Sequence, residues 1–290
     1  MMPHPNMQVM GPNIRIFESC NTIGLFEQGD RGCAAGDFPE LRVWVLSHLM
    51  WDPALDQDAL ITEFLTGYYG AAAPYIAEYL KTIHDAVERE DIFLSCYTRG
   101  TMDWLKLDDL NKATELFQQA AAKVEGDSTL TRRVRKARLP LDNVWLMYYY
   151  NFKTQAQEQG KAFLGPVDPA IATEEFINTA YEFNVGDYKE GNSFRQYAEQ
   201  LRSRYQPQTA SLPKTLEVKA TGNNYLDLQE SRFTIYEPGN WAEFVDDEKA
   251  SDGSAVRMPG DHLNWAVQCE TSDYYSKTWH AYVVVRCETK

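Results

Sequence analysis

The chain has 290 residues, 44% of them hydrophobic and 24% charged, with a formal net charge of −14. That length has room for about two domains of roughly 150 residues each, and that balance supports a sizeable core rather than general disorder. The acidic excess argues against a nucleic-acid partner, which needs clustered Lys and Arg to meet phosphates.

The one basic run, Arg132, Arg133, Arg135, Lys136 and Arg138, reads as a solvated helix face among acidic neighbours. No run of about 18 apolar residues is present, so no membrane span is expected. The opening MMPHPNMQVMGPNIRIF lacks a basic start followed by an apolar core, so it is not a signal peptide. Taken as written, the chain is expected to stay in the cytoplasm. Cys20, Cys33, Cys96, Cys269 and Cys287 show no CxxC spacing, which speaks against a disulfide framework or a structural zinc. Cys269 and Cys287 lie in strand-like segments and are placed to pair, but buried free thiols are the default.

In chain order, Pro3, Pro5, Gly11 and Pro12 punctuate a polar opening loop, and Asn13 is a plausible N-cap for a short helix through Ile14, Ile16 and Phe17. Thr22 to Phe26 is a short apolar strand, which needs partners to be stable. The glycine-rich loop GDRGCAAGD follows. Asp37 and Glu40 have capping-box spacing, and Leu41, Trp44, Val45, His48 and Leu49 recur on one helical face. Pro53 stops that helix; Asp56 starts the next, and Gly70 ends it.

From Pro74 to Tyr205 the pattern is helical almost throughout. Ile76, Leu80, Ile83 and Val87 form one stripe, and Leu110, Ala113, Phe117, Ala120 and Val124 another. A helix from about Ser128 to Tyr150 is expected to break or kink near Pro140, with shorter helices at Glu174–Phe183 and Ser193–Tyr205. QPQTASLP reads as a linker. Beyond it Thr215–Ala220, Phe233–Tyr236, Trp241–Val245, Trp265–Glu270 and Ala281–Cys287 alternate as strands, with Pro-Gly turns at 238 and 259. Five strands without a helix suggest a β-sandwich.

The segments PNIRIFESCNTIGLFEQGD, GDFPELRVWVLSHLMWDPALDQDALITEFLTGYYGAAAPYI and LFQQAAAKVEGDSTLTRRVRKARLPLDNVWL resemble family 4838 of bacterial domains of unknown function, over roughly residues 3 to 205. The middle segment, with its Trp51-Asp52-Pro53 helix ending, is also similar to the last βα unit of the α-glucuronidases of glycoside hydrolase family 67. DDEKASDGSAVRMPGDHLNWAVQ looks like the start of an appended β-sandwich. The resemblance implies an α+β chain: the last βα unit of a TIM-like barrel at 1–70, an all-helical domain at 71–206 and a partial, carbohydrate-binding-like β-sandwich at 213–290. A full barrel takes about 250 residues, so the rest of it is expected upstream and the chain is expected to be a truncated portion. The implied function is the C-terminal part of a glycoside hydrolase-like protein acting on plant or host polysaccharide, incomplete as a catalyst, from a secreted or periplasmic parent. The alternatives are a non-catalytic carbohydrate-binding or scaffold module, or a truncated reading frame with no role of its own.

Glycoside hydrolysis needs two carboxyl groups. Glu27 ends the expected barrel strand, on the face where such barrels place their chemistry, and is the candidate catalytic residue. Gln28 and Asp30 beside it, and His4 and Asn6 if the barrel topology holds, are candidates for binding sugar hydroxyls. The alternative is that Glu27 braces its loop; for Asp37 the helix-cap reading is preferred. His48 and His84 fit core histidines better than ligands, and no histidine pair has metal spacing, so no metal or other cofactor is expected. Among the C-terminal aromatics Trp279, near a turn, is the candidate for stacking on a sugar ring, while Trp265 reads as core. Asp246, Asp247 and Asp252 read as a solvated acidic turn rather than a calcium site. Val43, Leu46 and Phe26, if left uncovered, would favour self-association.

Overall fold

A computed structural model describes residues 1–29, 32–95, 100–189, 191–205, 233–235, 242–250, 253–257 and 267–268. The chain divides into two compact units, Met1–Gln206 and Pro207–Lys290. The first is mostly helical. Its helices are α1 (Met10–Ser19), α2 (Pro39–Trp51), α3 (Gln57–Tyr69), α4 (Ala73–Arg89), α5 (Thr101–Trp104), α6 (Leu107–Lys123), α7 (Ser128–Met147), α8 (Tyr149–Gln159), α9 (Pro169–Glu182) and α10 (Phe194–Tyr205). A short antiparallel pair, β1 (Asp187–Lys189) and β2 (Asn192–Ser193), joins α9 to α10.

Local sequence explains most helix ends. The Asp56 carboxylate accepts from the Asp58 and Ala59 N–H groups at 2.9 and 3.1 Å, and Gly70 leaves α3 with φ +54°, a conformation glycine adopts without steric cost. Asp168 caps α9 in the same way, with Pro169 opening the first turn. The two apolar stripes also form as expected. Ile76, Leu80 and Ile83 on α4 are buried, as are Leu110, Ala113, Phe117 and Ala120 on α6, and these two helices pack on each other.

α7 is the axis of the unit, because it is apolar on two sides. Val134, Ala137, Leu141, Val144 and Trp145 enter a core built from α1 to α8. Leu139 and Leu146 enter a second core with Phe176, Ile177, Phe194, Tyr197 and Leu201 of α9 and α10. The helix continues through Pro140 and ends at Tyr148, so the expected break falls eight residues late. Buried neighbours on both sides, Leu139 and Leu141 among them, hold the turn that lacks one amide bond. The basic run on α7 is not a bare solvated face. Arg133 donates to the Tyr68 carbonyl at 2.7 Å and lies 4.1 Å above that ring. Lys136 pairs with Glu40, Arg135 with Glu182 at 3.0 Å, Arg138 with Asp142 at 2.9 Å, and Arg132 lies over the Phe183 ring. These cations tie α7 to α2, α3 and α9.

Two local expectations are corrected. Thr22 to Phe26 forms no strand: no partner strand lies beside it among the described residues, and Ile23 and Phe26 are 106% and 87% exposed. Asn13 is not an N-cap either, since α1 begins at Met10 after a 3-10 turn at Met7–Val9.

In the second unit β4 (Glu243–Asp246) pairs antiparallel with β5 (Ser254–Arg257), and β3 (Thr234–Ile235) with β6 (Val267–Gln268). Parts of three expected strands are thus seen, and β5 was not anticipated. The expected strands at 215–220 and 281–287 lie outside the described residues. The chain as described is α+β, mostly helical with small antiparallel sheets. No helix among the described residues is long and apolar enough to cross a membrane.

Candidate functional site

Three places carry polar chemistry. The first is the loop before α2. Glu27 and Gln28 are exposed there, while Leu25 packs partly on the first core. Asp30 lies outside the described residues, as does Trp279. Farther along the glycine-rich loop, Cys33 and Ala35 are buried in the second core. Gly32 is needed there: a Cβ would sit 2.6 Å from the Asp187 carboxylate, across the contact in which Asp187 N–H donates to the Gly32 carbonyl. The loop braces β1.

The second place is a buried polar knot around Asp37. Asp37 does not cap α2; the N-cap position is Phe38, in a left-handed conformation at φ +53°. The Asp37 Oδ2 atom instead accepts from the His4 N–H at 3.0 Å and from Arg42 Nη2 at 2.6 Å. Arg42 also donates to the carbonyls of Asp37 and His4 and to the Asn6 side chain. His4 and Asn6, both expected at a cleft, are thus brought together, but through main-chain and amide oxygens bound to one guanidinium. Burial first, and the nearby Arg42 charge second, lower the His4 pKa against the opposing pull of Asp37. His84 on α4 feels the same pair; burial brings its pKa down to about 4. Asp37 Oδ1, Tyr79 OH and His84 Nε2 are buried polar atoms without a hydrogen-bond partner. Burial pushes the Tyr79 hydroxyl well above its ordinary pKa, so it remains protonated. His48, by contrast, is satisfied: its Nδ1 sits 2.8 Å from the Trp44 carbonyl.

The third place is a groove of about 640 Å³ between α7, α9 and the connection at 164–168, within the usual range for small-molecule sites. Gly165 lets the connection lie flat on the core, since a Cβ would come within 2.8 Å of the Trp145 ring and 2.5 Å of Phe163. Arg138, Asp142 and Glu175 line the opening over a wall that includes Leu139, Ile171 and Phe176. Burial raises the Asp142 pKa; Arg138 pulls it down and the Glu175 charge adds to the rise. The Asp142 side chain is still 30% exposed through the groove. Sequence reasoning missed this site. Arg138 and Asp142 are visible as a helical i,i+4 pair, but nothing local says that Glu175, on another helix, faces them.

Among the described residues no cluster of His, Cys, Asp and Glu is arranged to hold a metal ion. Residues 1–81 match the model of the family described as Domain of unknown function (DUF4838), which supports the likeness to that family for this part of the chain and carries no activity with it. No curated protein and no solved structure matches the chain.

Proposed function

We propose that this chain is part of a glycoside hydrolase-like protein acting on polysaccharide. Its first unit would carry the closing helix of a TIM-like barrel, with Thr22 to Phe26 completing a βα unit only once a neighbouring strand covers it, and the helical domain after it; its second unit would be a β-sandwich. The observation that carries this reading is the outer surface of α2. Leu41, Val45 and Leu49 are fully buried on one face, yet Val43, Met50 and Trp51 line the opposite face, with Val43 63% and Trp51 91% exposed. A helix that is apolar on two faces is one built to be covered on both. Ile23 and Phe26, exposed in the loop that carries Glu27 and Gln28, are explained in the same way: the covering body would supply the second carboxyl group that Glu27 needs. Leu46, expected on that surface, is partly buried against the first core instead.

The competing reading, a non-catalytic carbohydrate-binding or scaffold module, draws on the same loop. Glu27 stands exposed on a segment that forms no strand, and glycoside hydrolysis needs a second carboxyl group beside it as nucleophile or base. A glycan array and a panel of aryl glycosides test the proposal on the purified chain. Saccharide retention without turnover is the expected outcome. A blank array would overturn the carbohydrate reading, and turnover abolished by Glu27→Gln would show that the chain already holds a complete site.

A further inference from the structure

The groove between α7 and α9 has a charge pattern that selects among ligands. Its cations are already neutralised: Arg138 by Asp142 at 2.9 Å and Arg135 by Glu182 at 3.0 Å. An anion would meet guanidinium charges already offset by Asp142 and Glu182 while facing the Glu175 carboxylate, so the groove does not suit phosphate or a carboxylate. Asp168 is also engaged, accepting from the Ala170 and Ile171 N–H groups at 2.8 and 3.2 Å. Glu175 is the one acidic lining residue with no hydrogen-bond or ion partner among the described residues. A single exposed carboxylate attracts a free cation only weakly in water.

What the groove does offer is donors beside acceptors. Arg138 uses Nε for Asp142 Oδ1, which leaves its two terminal nitrogens as donors and Asp142 Oδ2 as an acceptor at the same edge. Glu175 adds an acceptor from the facing helix. Behind them Leu139, Ile171, Ala172 and Phe176 form an apolar wall. Neighbouring donors and acceptors over a C–H-compatible wall complement the vicinal hydroxyls and the apolar face of a neutral polyol ring.

We infer that this groove is a binding subsite for a neutral saccharide ring, with the Arg138–Asp142 edge and Glu175 holding its hydroxyls. It lies apart from the loop that carries Glu27, and it deepens the carbohydrate reading above, on which it rests. The Trp145 ring does not stack on the guest. Its Nε1 donates to Thr114 Oγ1 at 2.9 Å and the Gly165 backbone covers it. Phe176 in the wall is only 3% exposed, so no open ring face is offered either, and affinity is expected on the order of millimolar.

Saturation-transfer NMR and calorimetry with glucose, xylose and maltose test this on the full chain, with n-butylammonium and inorganic phosphate as contrasts. Ala172→Trp, which fills the wall, is expected to weaken saccharide binding by about tenfold or more, and Glu175→Gln by roughly threefold to tenfold. Glu115→Gln, exposed on α6, serves as the control and is expected to change nothing. Should Ala172→Trp lower the melting temperature, Glu175→Gln decides alone, because that side chain is exposed. Binding of n-butylammonium or phosphate in place of the sugars overturns the inference. So does saccharide binding that survives Glu175→Gln but is lost in Glu27→Gln; that result would leave the carbohydrate reading standing and move the subsite to the loop. If the wild-type chain binds none of the three sugars, the groove is overturned, and the glycan array judges the wider reading separately.

Discussion

Arg42 and Asp37 form the one ion pair in which the carboxylate is almost closed off from solvent among the described residues, with side-chain exposures of 19% and 5%. The guanidinium also gathers two backbone carbonyls and Asn6. Removing it leaves a buried carboxylate uncompensated, so Arg42→Met is expected to cost about 3–5 kcal/mol in urea unfolding and to expose residues 1–9 to protease. His84 sets a pH dependence in the same region. Asp37, Arg42 and Asp85 act on it, but burial dominates and holds its pKa at about 4 in place of the ordinary 6.5. Between those values the unfolded chain binds the proton and the folded chain does not, so stability falls as pH drops from 6.5 towards 4. The loss amounts to about 2 kcal/mol at pH 5. His4, also lowered by burial, adds in the same direction. Unfolding curves at pH 7 and pH 5 check this, and His84→Gln is expected to flatten the difference.

Single positions also decide how elements meet. Gly165→Ala would drive a methyl into the Trp145 and Phe163 rings. Overpacking of this kind costs about 1–3 kcal/mol, readable as a lower urea midpoint with an unchanged slope. Arg133→Ala removes both a carbonyl hydrogen bond and a ring contact that tie α7 to α3; about 1–2 kcal/mol is expected from such a pair of losses. The helices these residues connect were legible one at a time. Asp56, Pro53 and Gly70 mark the ends of α2 and α3 through their own side chains or dihedrals, and the α4 and α6 stripes repeat within a few residues. Asp37 was misread for the opposite reason. Its spacing to Glu40 imitates a cap, while its true partners are Arg42, five residues on, and the His4 amide, 33 residues back.

At the scale of the molecule, the boundary at Gln206 and Pro207 predicts that a chain ending at 206 folds alone, because both cores of the first unit lie within it. Its far-ultraviolet circular dichroism should show a helical protein with one cooperative transition; a loss of that transition would mean that the core depends on residues beyond 206. The outer α2 face predicts concentration-dependent association of the intact chain when nothing covers it. Light scattering at micromolar concentration should detect it, and Val43→Glu with Trp51→Glu should abolish it. A monomer throughout would argue against an uncovered docking face.

Composition, periodicity and capping residues were sufficient to determine that this chain is helical through Tyr205 and to place most of those helices, because such signals act over one or two turns. Tertiary structure alone decided the rest. It left Ile23 and Phe26 bare where a strand was expected, turned a basic run into ties between helices, and brought Arg138, Asp142 and Glu175 to one groove. Each of these outcomes depends on which distant surface comes to lie against a residue, and no local pattern in the chain encodes that.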